Sequence, residues 1–142
     1  MSDLLTALCP MFKDEVYRRT ARIGNVTIGG TVALVGGMLW YAVWSDEFDV
    51  IERLLCMSAV VALVATLLIQ ISREASRHAG AKQALIQVER ALGLFESGRY
   101  LPDAPLYPEE WSVPPPRSRA TRAAQVVLTL LGVLFVLEIL IT

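Results

Sequence analysis

LLCMSAVVALVATLLIQIS, residues 54–72, runs without a break into REASRHAGAKQALIQVERALGLFE, residues 73–96. The first stretch is 19 residues long and carries no charged side chain. That is close to the roughly 20 residues that cross the hydrocarbon core of a bilayer. The second stretch is rich in Ala, Leu, Glu, Arg, Lys and Gln, which are good helix formers, and no breaker marks the junction. One helix is therefore expected from about Glu52 to Ser97, leaving the membrane and projecting about 35 Å beyond it at 1.5 Å per residue.

Two further runs match the first. Ile23–Trp44 spans 22 residues with no charge, and Ala123–Thr142 is interrupted only by Glu138. Apolar residues make up 54% of the 142-residue chain and charged residues 19%, too much apolar surface for one small soluble domain to hide. This composition excludes a disordered chain and argues against a soluble enzyme. The net charge of −1 gives no basic field for nucleic acid. The acidic start MSDLLTALCPMFKDE lacks the basic n-region of a cleavable signal peptide. The expected fold is an all-α integral membrane protein with three transmembrane helices.

Orientation follows from Lys and Arg. Lys13, Arg18, Arg19 and Arg22 precede the first span, and Arg73, Arg77, Lys82, Arg90, Arg99, Arg117, Arg119 and Arg122 lie between the second and third. The loop between the first two spans has Arg53 beside Asp46, Glu47, Asp49 and Glu52. The positive-inside rule puts the N-terminus and residues 73–122 in the cytoplasm, and the acidic loop and C-terminus outside. Trp40, Tyr41 and Trp44 then fall at the outer interface, where an aromatic belt is expected. Cys9 is then cytoplasmic and Cys56 sits near the outer end of the second span, so the two cannot form an intrachain disulfide.

The expected organisation is an N-terminal amphipathic helix (1–22), a first span (23–44), a short acidic outer loop (45–53), a second span (54–72), a cytoplasmic helical extension (73–97), a proline-rich return strap (98–121) and a third span (122–142). The N-terminal helix is expected to break at Pro10. Its Leu4, Leu5, Leu8, Phe12 and Val16 lie either on the membrane surface or against the long helix. In the extension, Ala81, Leu85, Val88, Leu92 and Phe95 step by four, three, four and three, a coiled-coil seam, and Gly98 is the expected C-cap. The strap holds six of the seven prolines yet carries Tyr100, Tyr107 and Trp111, bulkier than a plain linker needs. These anchors either fasten the strap to the seam or dock a partner in polyproline form. Pro108-Glu109-Glu110-Trp111 reads as a first helical turn.

In the first span, Gly29-Gly30 and Gly36-Gly37 repeat after seven residues and mark a packing face, for the bundle or for an oligomer. Glu138 is an intramembrane acid that lines a pore, pairs with Arg53, or reaches the outer interface. Asn25 and Gln70 are expected to hydrogen-bond between helices. The acids of residues 46–49 read as solvated charge, lacking the length and glycine of an EF-hand loop. His78 is the single histidine, and neither cysteine has metal-ligand spacing. No phosphate loop, nucleophile elbow or metalloprotease motif is present in the sequence.

No cofactor, metal or small-molecule substrate is thus expected. The architecture resembles small bacterial inner-membrane proteins that act as oligomers or subunits. The expected function is non-enzymatic: homo-oligomerisation through the transmembrane and cytoplasmic helices, as a membrane-permeabilising effector or channel triggered through the cytoplasmic module. The alternative is an accessory subunit that docks onto a larger membrane complex through the helix and strap. The expected partners are membrane lipid and either further copies or a complex partner.

Overall fold

A computed structural model describes residues 2–99, 101–113 and 118–142, with side chains from Pro10 onward. Among the described residues the chain is all-helical, with no strand. Helix α1 spans Ser2–Trp44, α2 Val50–Ala91 and α3 Arg119–Ile141. Short 3₁₀ turns occupy Ser45–Glu47 and Glu109–Ser112. Each of the three long helices has the length and apolar content needed to cross a membrane. The chain forms two compact units: residues 23–73 with 119–142, and residues 1–22 with 74–118.

The first is an apolar three-helix unit. Leu34, Ile71 and Leu128 are fully buried, and Val60, Ala124, Phe135 and Ile139 complete the core. Backbones approach closely because three glycines offer no side chain. A Cβ on Gly30 would lie 2.7 Å from Leu67 Cδ1, one on Gly37 2.9 Å from Phe135 Cε1, and one on Gly132 2.6 Å from Val64 Cγ2. The outer surface is also apolar: Ile28, Val32, Leu39, Leu55, Leu130 and Leu140 are all exposed.

The turn between α1 and α2 is built from its acids. Asp49 Oδ1 accepts from the Glu52 backbone N–H at 2.8 Å, and Glu52 Oε2 accepts from the Asp49 N–H at 3.1 Å. This reciprocal capping box satisfies donors that the start of α2 would otherwise leave unpaired. Arg53 donates to the carbonyls of Phe48 (3.3 Å) and Ser45 (3.4 Å), closing the turn from the other side.

The second unit is the polar one, built from the first turns of α1, the last turns of α2 and the segment that follows. Here the structure departs from the expected boundaries. Helix α2 ends at Ala91, not Ser97, and the cap is Gly93, not Gly98. Gly93 has φ +74°, its N–H bonds to Arg90 O (2.9 Å), and the Leu94 N–H bonds to Glu89 O (3.2 Å). This is a Schellman closure, and the left-handed backbone at Gly93 stops the helix before the seam is complete. Helix α1 does not break at Pro10. A proline there removes one N–H, and the bond to Thr6 it would have made is one among those of a 43-residue helix. Helix α3 begins at Arg119, three residues ahead of the expected 122.

Candidate functional site

In the polar unit one carboxylate gathers three guanidinium groups. Glu74 is buried on α2, and Arg19 (3.3 Å), Arg22 (3.6 Å) and Arg77 (3.5 Å) reach its two oxygens. Arg19 also pairs with Glu15 one turn back on α1. Removal of a carboxylate from water is costly, and this one is compensated by charge on three sides. In the sequence these arginines stand out as topology signals, and nothing marks Glu74 as their partner. Its signal in the sequence is an acid two residues beyond the uncharged run 54–72 and one turn before Arg77.

Four turns along α2, Glu89 is buried as well, and Lys13 of α1 stands 3.9 Å from its carboxylate. Lys13 Nζ donates to Tyr107 Oη at 3.2 Å and lies 5.7 Å from that ring's centre. Tyr107 is fixed further by its backbone N–H on Leu94 O (2.9 Å), by Phe95 edge-on at 6.0 Å, and by Trp111 at 5.6 Å. Arg90 reaches the Ser112 carbonyl. Lys13, Glu89 and Tyr107 thus tie α1, α2 and the segment after α2 together. Burial pushes the Glu89 carboxyl up, against the opposing pull of Lys13 and Lys82. Burial, then the charges of Lys82 and Arg19, holds His78 below its ordinary value.

The seam residues do not form the most buried stripe. Ala81, Leu85 and Val88 are half-buried, while Ile86 and Glu89 beside them are buried. Leu92 and Phe95 lie past the helix end, where Phe95 serves Tyr107 instead. Of the three anchors, Tyr107 is half-buried, Trp111 is exposed, and Tyr100 lies outside the described residues. The side chains of Leu4, Leu5, Leu8 and Cys9 also lie outside them.

In the apolar unit the two glycine pairs split. Gly30 and Gly37 face the core, whereas Gly29 and Gly36 face open space. Gly132 is a third close-approach glycine that the sequence reading passed over. Tyr41 is fully buried against Phe135 and Phe48, so it belongs to the core and not to an exposed aromatic belt; Trp40 and Trp44 remain exposed. Glu138 does not pair with Arg53, whose guanidinium is spent on the turn carbonyls. Its Oε2 is buried without a partner, as is the Tyr41 hydroxyl. Asn25 and Gln70 are exposed and bridge no helices. The bridging amide is Gln125, which donates to Ser72 Oγ at 3.0 Å. Cys56 is a half-buried free thiol.

Among the described residues no group of three His, Cys, Asp or Glu side chains is placed to hold a metal. No protein-family model, curated protein or solved structure matches the chain.

Proposed function

We propose that this chain is a three-span integral membrane protein of the bacterial inner membrane that works without catalysis, by assembling with copies of itself. In this reading the N-terminus and residues 73–122 are cytoplasmic and the C-terminus is outside. The observation that carries it is the exterior of the apolar unit. Ile28, Leu39, Leu55, Leu130 and Leu140 stand exposed around a core that is already filled, and a surface of that kind needs lipid or protein against it. The charge pattern supports the orientation. Arg73, Arg119 and Arg122 mark one end of this unit and Asp46, Glu47 and Asp49 the other.

Self-assembly is assigned to the Gly29–Gly36 face of α1. With Gly30 and Gly37 consumed inside the unit, Gly29 and Gly36 keep an open face for close approach by another helix. Leu34, Leu128 and Phe135 fill the interior of a single unit, so a conducting path would have to run between copies. The test is the native mass of the full chain in mild detergent, wild type against Gly29→Leu/Gly36→Leu. A defined oligomer that shifts toward single chains in the variant supports the reading. A single-chain mass for the wild type would exclude self-assembly.

A second reading rests on the segment after α2. Leu106, Trp111 and Val113 are exposed there, beside a Tyr107 that is already anchored. As an accessory subunit, the protein would present this edge to a partner of a larger complex. Stoichiometric co-purification of another chain, lost in Trp111→Ala, would favour that reading.

A further inference from the structure

On the outside of the apolar unit, α2 and α3 leave a groove of about 430 Å³. It is lined by Val61, Val64 and Leu68 on one side and Thr129, Gly132 and Val133 on the other, with scarcely a polar atom among them. The α3 side of this groove continues toward the helix start in steps of three and four residues: Gly132, Thr129, Gln125, Arg122. Gln125 bonds to Ser72 and closes the floor between the two helices there. One turn further, Arg122 is exposed, and Arg119 is exposed one turn beyond it. Neither has an ion pair or hydrogen bond among the described residues, whereas Arg18, Arg19, Arg22 and Arg77 are all paired with carboxylates. No Asp or Glu occurs at this end of the unit, in residues 23–30, 66–73 or 119–126.

We propose that this groove binds one anionic phospholipid, with an acyl chain between α2 and α3 over Gly132 and the phosphate held by Arg119 and Arg122. The proposal rests on the membrane-spanning reading above. An apolar groove with two uncompensated guanidinium groups two and three turns beyond it on α3 matches the two halves of such a lipid. The start of α3 adds its free N–H groups and the positive end of its dipole. The dimensions agree. Arg122 to Leu137 is about 22 Å along the helix. One leaflet offers about 15 Å of hydrocarbon plus its headgroup layer. A second copy of this chain is the poorer occupant: lying parallel in the same membrane, it would bring its own Arg73, Arg119 and Arg122 against these, with no carboxylate in residues 66–73 or 119–126 to meet them.

The test uses the full chain in detergent, equilibrated with phosphatidylglycerol and phosphatidylcholine of identical acyl chains and read by native mass spectrometry. Phosphatidylglycerol is expected to be retained at one per chain. Retention should fall about thirtyfold in Arg119→Gln/Arg122→Gln, since each arginine near a lipid surface contributes about fivefold. Val133→Trp, and separately Val61→Trp, should displace the lipid by filling the groove, while Val127→Trp elsewhere on α3 should not. Equal retention of the two lipids would overturn the proposal, as would phosphatidylglycerol retained in both groove-filling variants. A doubled mass that those variants halve would assign the groove to a second copy instead. An alkaline wash separates the two levels of the argument. Release of the chain from membranes would overturn the spanning reading and the site with it, whereas a chain that stays embedded but shows no lipid preference overturns the site alone.

Discussion

The apolar unit buries Leu34, Ile71 and Leu128 completely and leaves leucines and valines on its surface, while the polar unit buries Glu74 and Glu89 beside Ile86. Helices α1 and α2 supply residues to both. In the apolar unit, specificity comes from shape: three glycines set where the helices meet, and van der Waals contact does the rest. In the polar unit it comes from charge, with a few carboxylates on α2 matched to cations on α1. The chain changes its packing chemistry near Arg22 and Arg73. Hydrocarbon supplies no hydrophobic driving force between helices, whereas water makes a lone buried carboxylate expensive unless it is paired.

Perturbations should therefore sort by unit. The largest effect is expected from Gly132→Leu, which drives a branched side chain into Val64. A loss of up to about 3 kcal/mol is expected, read as a fall in melting temperature in detergent. Gly24→Leu, facing open space, should leave that melting temperature unchanged. If the two variants melt alike, shape does not set the apolar unit.

Next is Glu74→Gln, which strands Arg19 without its buried counter-charge. Breaking a buried pair costs about 3–5 kcal/mol, and the exposure of Arg22 and Arg77 reduces this to about 2 kcal/mol. Hydrogen exchange should speed up across 74–91 and leave 54–72 untouched. Equal acceleration in both stretches would show that the polar unit has no stability of its own.

A smaller effect is expected at Tyr107. Tyr107→Phe removes the hydroxyl that Lys13 reaches but keeps the ring packed on Phe95 and Trp111. The cost should be about 1 kcal/mol, seen as faster proteolysis within 101–113. Tyr107→Ala should cut faster still. No change in either variant would mean that this segment is not held by Tyr107.

The smallest effect is pH-dependent. His78 sits below its ordinary 6.5, because of burial first and then Lys82 and Arg19. A lowered pKa contributes stability that is complete above the unfolded value and is lost as pH falls through the folded one. Acidification from neutral pH to below 6.5 should therefore loosen residues 74–91 in the wild type, and less so in His78→Gln. Glu89, raised from its ordinary 4.5 by burial, acts with the opposite sign. Its contribution is present at low pH and is lost as pH rises through the folded value. Glu89→Gln should therefore make the acid-induced loosening steeper. An unchanged slope in both variants would remove these two groups from the account.

The three apolar helices were legible because a run of about 20 uncharged residues has few other uses. The capping box of Asp49 and Glu52 is equally present as an acid three residues before another, but Asp49 reads as solvated charge and Glu52 as part of the outer loop's charge balance. Gly93 was passed over for Gly98 because the apolar spacing continues through Phe95 and hides the stop. The glycine pairs show a harder limit. Positions 29 and 36 repeat as regularly as 30 and 37, and only the placement of Leu67 and Phe135 tells which pair faces inward. The contact between Lys13 and Tyr107 spans 94 residues of sequence, and no local pattern announces it.

The proposed crossing of the bilayer puts residue 46 and residue 97 on opposite sides of the membrane. The most direct test is labelling of single cysteines by a membrane-impermeant maleimide in intact cells, in a chain with Cys9 and Cys56 replaced by serine. Asp46→Cys should label in intact cells, and Ser97→Cys only after the cells are opened. Labelling of both positions from the same side would contradict the account.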